Sequence, residues 1–257
     1  MRILVTGGAG GIATLVRPLL SRPEWTLRLL DVAEVPDTGD GAERVRASVT
    51  DLDAMVDACA DVDAVVHLGG LASERPWPEI LETNIHGTYV VFEAARRAGV
   101  PRVVFASSNH AVGFHPRDGS EAPDGLFPRP DTFYGVSKVA GEALGSLYHD
   151  RYGLDVVCLR IGGCFAEPLE SRMLENWLSP GDAARLLVAA LTTPSPGFRV
   201  VWGISANTRR WWSLDGARAL GYEPRDDAEP YAKAVPPSDP RFERFLGGDF
   251  CSPELDA

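Results

Sequence analysis

The chain reads as an α/β protein built on a doubly wound parallel sheet, and three observations lead there. Strand-like and helix-like segments alternate through the first 161 residues, a glycine-rich turn separates the first strand from the first helix, and the second strand ends in an acid. Alternation of this kind suits a parallel sheet, because each parallel pair needs a crossover that is usually a helix. At 257 residues the chain is long enough for one large domain of this class with a small appended lobe.

Taken in order, Arg2-Ile3-Leu4-Val5-Thr6 is a short buried strand that runs into Gly7-Gly8-Ala9-Gly10-Gly11-Ile12-Ala13 and then into the helical pattern Leu15, Val16, Leu19, Leu20. Gly7, Gly10 and Ala13 give G-x-x-G-x-x-A, a variant of the dinucleotide fingerprint in which glycines let the backbone approach a pyrophosphate at a helix N-terminus. The expected fold is therefore Rossmann-type. Residues 26–31 form the second strand, and Asp31 at its end sits where the fingerprint wants a carboxylate for the adenosine ribose hydroxyls. That favours NAD over NADP, since Asp31 repels a 2′-phosphate and Val32 offers no cation.

A third strand is expected at 44–47 and a helix at 54–60. Asp51 between them suits either a helix N-cap or an acceptor for the adenine amino group, and the two roles are compatible. Residues 64–70 give a fourth strand with Gly69 and Gly70 at its exit beside the cofactor. His67 within it reads as a packed strand residue. A long helix over 78–98 carries Asn84 and Gly87, and a fifth strand over 102–107 places Ser108-Asn109-His110 at its carboxyl end, the edge at which open α/β sheets bind ligands. The Pro- and Gly-rich loop 113–130 is long enough for a lid. The sixth strand is 154–161.

Beyond it the rhythm changes. Residues 162–177 look irregular, 182–191 helical, 198–202 a strand and 211–220 a short helix, while the Pro-rich end from Pro230 should wrap the surface or join a subunit contact in a homo-oligomer. The expected division is a cofactor-binding core at 1–161 and a small substrate-binding lobe with its tail at 162–257, packed as one unit.

The chemistry concentrates between residues 105 and 138. Tyr134 and Lys138 lie four apart in a segment of helical pattern, so they share one face. A phenol titrates near ~10, too high for a base at neutral pH, and a neighbouring ammonium favours the phenolate. Ser108 is placed to hydrogen-bond the same substrate oxygen. Of 25 basic residues only Lys138 and Lys233 are lysines, so a compact ammonium is kept here in an arginine-rich chain.

Composition excludes other classes. A net charge of −11 argues against nucleic acid and anionic membranes. No apolar run approaches the roughly 18 residues of a membrane span and no signal-peptide layout is present, so a cytoplasmic protein is expected. The four cysteines and five histidines show no metal-ligand spacing. No metal is expected, and the thiols should be reduced.

With Thr6-Gly7-Gly8-Ala9-Gly10, Asp31, Tyr134-x-x-x-Lys138 and the serines before it, the chain resembles the extended short-chain dehydrogenase/reductase superfamily. More narrowly it is similar to the bacterial uronate dehydrogenases, through His67-Leu68-Gly69-Gly70, Asn84-Ile85-x-Gly87, Ser107-Ser108-Asn109-His110-x-x-Gly113, Arg160-Ile161-Gly162, Arg172-Met173, Trp177-Leu178-Ser179 and Ser205-Ala206-Asn207. The resemblance implies oxidation of a cyclic hexuronic acid at its anomeric carbon to an aldarolactone, with NAD as acceptor. Tyr134 would take the anomeric hydroxyl proton, Lys138 would lower its pKa and hold the nicotinamide ribose, and Ser108 would position the reacting oxygen. Asn109 and His110 would bind sugar hydroxyls, and Arg172 would pair with the carboxylate. The cofactor set is then Gly7, Gly10, Gly11, Ile12, Asp31, Asp51, Leu52, Leu68, Gly69, Gly70 and Asn84 with Tyr134 and Lys138.

At two positions the chain departs from that pattern. Ala72, with Ser73 beside it, stands where the family has a substrate-binding serine, and Gly163 stands for another. Each lost hydroxyl removes about 0.5–1.5 kcal/mol of hydrogen bonding. A different sugar acid, or a sugar epimerase or dehydratase of the same superfamily that retains NAD, is the alternative. A non-catalytic NAD sensor would not need the Tyr134/Lys138 pair.

Overall fold

The computed structural model describes residues 1–117, 119–239, 241 and 243–255. Its elements are β1 (Arg2–Thr6), α1 (Gly11–Val16), β2 (Thr26–Asp31), β3 (Glu43–Arg46), α2 (Leu52–Ala58), β4 (Ala64–His67), α3 (Trp77–Glu79), α4 (Gly87–Arg97), β5 (Arg102–Ser108), α5 (Phe133–Tyr152), β6 (Asp155–Ile161), β7 (Gly163–Cys164), α6 (Met173–Asn176), β8 (Trp177–Leu178), α7 (Pro180–Thr192), β9 (Phe198–Gly203) and α8 (Asp215–Ala219).

Seven strands form one parallel sheet in the order β3-β2-β1-β4-β5-β6-β9. The order reverses between β1 and β4, which opens a crevice at their carboxyl ends. Successive side chains of a strand point to opposite faces. Ile3, Val5, Leu29 and Leu159 accordingly pack on one side with Val16 of α1 and Leu186 of α7. Leu4, Leu30, Phe105 and Cys158 pack on the other with Met55 of α2, Phe92 of α4 and Tyr148 of α5.

The long helix expected at 78–98 is present as α3 and α4 joined through a π-helical segment, Ile80–His86. Asn84 lies in that segment, a type of irregularity that apolar periodicity does not reveal.

Two features of the second half add to the sequence reading. β9 pairs with β6 from Val156↔Phe198 to Ile161↔Gly203, and α7 lies in the same core as α1. A boundary at 161/162 therefore does not separate two packing units. β6 is buried along its length, and without β9 it would be an edge strand with unpaired backbone groups. The C-terminal stretch also does more than wrap the surface. Leu246 N–H donates to the carbonyl of His115 at 3.0 Å and Gly247 N–H to that of Gly113 at 2.9 Å, which lays the segment across the carboxyl edge of the sheet.

Candidate active site

α5 begins where the chemistry is. Thr132 caps it, its hydroxyl accepting from Gly135 N–H at 3.0 Å. The Glu74 carboxylate accepts from Phe133 N–H at 3.1 Å and Tyr134 N–H at 2.8 Å, an anion at the positive end of the helix. Two turns on, Gly141 lets the helix approach β5 so closely that a Cβ there would overlap the Phe105 ring. This contact sets Tyr134 and Lys138 against the end of β5.

Tyr134, Lys138 and Ser108 line one cavity of about 430 Å³ at the carboxyl ends of β5 and β6. Both members of the pair are buried, at 8% and 9% exposure. The Lys138 ammonium donates to the Ala106 carbonyl at 2.9 Å and lies 5.2 Å from the centre of the Tyr134 ring. Burial draws Lys138 down to about 8. It pushes the Tyr134 phenol up to about 12, with the Ser108 hydrogen bond acting downward and the Asp131 carboxylate adding to the rise. The expected lowering of the phenol by the ammonium is not among the causes of this shift, whose direction burial sets.

A second cavity of about 400 Å³ shares Gly11, Ile12, Leu68, Gly70, Leu71 and Ala72 with the first, so the two form one trough across the sheet's switch point. Gly7, Gly10, Gly69 and Asp31 line its far half. Gly7 has φ +71°, and a Cβ there would lie 2.8 Å from Gly69 N, so no other residue fits the turn. Asp31 accepts from Ala9 N–H at 3.0 Å and Ala33 N–H at 2.9 Å, which fixes its carboxylate over the glycine turn. A backbone-walled trough with a fixed acid at one end suits a dinucleotide.

Asp51 and Leu52 do not line the trough. Asp51 is the N-cap of α2, accepting from Ala54 N–H at 3.1 Å, and Ala47, Ser48 and Val49 border the trough instead. Asn84 does not line it either. Its amide accepts from Leu71 N–H at 2.7 Å and donates to Leu71 O at 3.0 Å and Ser137 Oγ at 3.2 Å, bracing the turn after Gly70. His67 is packed as expected, between the hydroxyls of Thr6 and Thr88 at 2.7 and 3.1 Å, and burial draws it down to about 3.

At the other end, Asn109, His110 and Arg172 join Ser108 around the first cavity. Asn109 donates to the Leu246 carbonyl at 3.0 Å, so its amide also tethers the C-terminal segment. His110 Nδ1 lies 2.8 Å from the Asp131 carboxylate, whose side chain is wholly buried, and its ring stacks on Phe250 at 4.0 Å. The Arg172 guanidinium donates to Leu246 O; among the described residues it makes no ion pair, and burial lowers its pKa. Ala72 borders the cavity but the exposed Ser73 does not, so Ser73 does not restore the missing hydroxyl. At Gly163 the space is taken by Met173, whose Sδ lies 3.1 Å from where a Cβ would be.

Sequence reasoning missed Glu74, Asp131, Asn176 and Phe250, and named Met173 only as part of the Arg172-Met173 resemblance. Only Asp131 carried a signal, an acid just before the cap of the tyrosine helix. Among the described residues, no three His, Cys, Asp or Glu side chains cluster so as to hold a metal ion. Nor is any helix among them long and apolar enough to cross a membrane.

Comparison with known proteins fits this geometry. Residues 3–179 match the model of the NAD dependent epimerase/dehydratase family. The chain is 44% identical to a uronate dehydrogenase of Pseudomonas syringae pv. tomato over 256 residues, covering 97% of this chain and 92% of the relative. A crystal structure of uronate dehydrogenase from Agrobacterium tumefaciens superposes with a TM-score of 0.92 at 40% identity, covering 100% of this chain and 98% of that one. A variant of that enzyme complexed with NAD gives 0.92 at 39% identity, covering 100% and 99%.

Proposed function

The chain belongs to the NAD-dependent epimerase/dehydratase family, and on that premise we propose that it oxidises a hexuronic acid, D-glucuronate or D-galacturonate, at the anomeric carbon to an aldarolactone. The observation that supports the substrate class is Arg172, a half-buried guanidinium that makes no ion pair among the described residues, on the wall of the cavity that holds Tyr134 and Lys138. A partly desolvated cation on a cavity wall favours an anion there, and a planar guanidinium matches a carboxylate. It also gives a protein of net charge −11 a local reason to bind an acid.

The residues divide the work. Tyr134 takes the proton of the anomeric hydroxyl, and Ser108, which hydrogen-bonds the phenol, holds the same oxygen. Lys138, anchored on Ala106, supplies positive charge beside the developing phenolate. His110, held by Asp131, and Asn109 border the ring hydroxyls. Gly7, Gly10, Gly11 and Ile12 receive the pyrophosphate of NAD, and Asp31 the ribose hydroxyls. When bound, NAD supplies the hydride acceptor and a positive charge beside the phenol. We assign the cofactor and the Tyr/Lys pair to residues 1–161 and the acid end of the sugar to Arg172 and its neighbours beyond 161. The four cysteines are free thiols, which suits the cytoplasm.

The test is NADH formation with NAD and, separately, D-glucuronate, D-galacturonate, D-glucose and D-galactose. Rapid NADH with the two acids alone is expected. Equal rates with the neutral sugars would remove Arg172 from the site, and NAD that stays bound through purification without net NADH would favour an epimerase.

A further inference from the structure

Asn176 ends α6 and is only 1% exposed, yet it borders the cavity that holds Tyr134, His110 and Arg172. Its amide oxygen is buried without a partner among the described residues. Other buried polar atoms without a partner belong to Arg2, Arg210 and Trp212, none of which borders this cavity. A buried amide left without partners is costly, and folded proteins rarely keep one unless something outside the chain answers it. Here the unanswered group sits in the substrate wall.

Its surroundings say what would answer it. Arg172 and Asn176 are four apart across the single turn of α6, so they share one face. Beside Asn176 the backbone of Gly162 packs so closely that a Cβ there would collide with the Asn176 carbonyl oxygen and lie 3.1 Å from the Asn176 Cβ, while Met173 fills the space at Gly163. The terminal torsion of an amide is broad, so the group can turn toward the cavity it borders without leaving its rotamer. Once turned it offers both a donor and an acceptor, as a sugar hydroxyl does.

We propose that Asn176 reads the C4 hydroxyl of the uronate and so sets the preference between epimers. In a hexuronic acid the C4 hydroxyl lies next to the carbon that bears the carboxylate, and it is the position at which D-glucuronate and D-galacturonate differ. With the carboxylate on Arg172, a group one helical turn away meets that end of the ring. The proposal rests on the uronate reading above.

The experiment compares kcat and KM for both uronates in wild type, Asn176→Leu and Asn176→Ala, with the NAD Kd and the thermal midpoint of each. Both variants should change the ratio of kcat/KM between the two sugars by about tenfold, mainly through KM, the scale of one buried hydrogen bond. NAD affinity should hold and the midpoint should stay or rise, because an unsatisfied group has been removed. An unchanged ratio, equal losses on both sugars, or a midpoint several degrees lower in both variants would overturn the assignment. A wild type that forms no NADH with either uronate would instead overturn the dehydrogenase reading, and the sugar-hydroxyl role of Asn176 with it.

Discussion

In the proposed function Arg172 bears the substrate class, and its removal has a defined signature. Arg172→Ala should raise KM for uronate by roughly ten- to a hundredfold, the scale of a charge-assisted hydrogen bond to an ionised group. NAD affinity should be unchanged, because Arg172 does not line the half of the trough that holds Asp31. Steady-state kinetics with a separate NAD titration check both. Lys138 gives a pH prediction whose sign follows from burial. Its folded value, about 8, lies below the ordinary 10.5, so between those values the folded protein binds fewer protons than the unfolded chain. Its contribution to stability therefore rises with pH across that window and is least favourable below about 8. The thermal midpoint of wild type relative to Lys138→Met should accordingly increase from pH 7 to pH 10; a flat difference would mean that the ammonium is not desolvated.

At the scale of elements, α5 and its contact with β5 hold the reacting groups together. Gly141→Ala would drive a methyl into the Phe105 ring, and overpacking of this kind costs about 1–3 kcal/mol. Because Lys138 reaches Ala106 from the same helix, kcat should fall tenfold or more even where the variant remains folded at the assay temperature. Circular dichroism beside the rate measurement separates the two effects. The same elements show what was legible in the sequence. The four-residue spacing of Tyr134 and Lys138 placed both on one helix face, and Gly7 with Asp31 marked the trough, because helical period and left-handed turns leave local signatures. The π-helical segment around Asn84 left none, since its apolar pattern reads as one helix. Nor could spacing show that Leu246 and Phe250 return across the site, for that segment is held by backbone hydrogen bonds, by the Asn109 and Arg172 side chains on the Leu246 carbonyl and by one ring stack rather than by a periodic apolar face. Asp131 carried only the local signal of an acid before the helix cap, and its pairing with His110, 21 residues away across the loop, left none.

Across the whole molecule, the trough joins the two sides of the switch point, so whatever fills it ties β1 and β2 to β4 and β5. Ligand that binds only the folded chain stabilises it by mass action, about 2.7 kcal/mol at a hundred times its Kd. For a protein of this size roughly 2–4 °C follows from each kcal/mol, so NAD at that concentration should raise the midpoint by about 5–10 °C. NADP meets the Asp31 carboxylate, which Ala9 and Ala33 N–H groups hold over the turn, and its 2′-phosphate finds no cation at Val32. If repulsion weakens it a hundredfold, the same concentration gives only about 0.4 kcal/mol and a shift of about 1–2 °C. Arg46 is the one nearby cation that tests this reasoning. It pairs in register with Asp31 but donates to the Val32 carbonyl at 3.2 Å, which occupies its Nε. Equal shifts with NAD and NADP would mean that Arg46 turns to the phosphate and that Asp31 does not decide the cofactor. A large shift with NAD alone would place the discrimination on Asp31, and Asp31→Asn should then narrow the gap between the two.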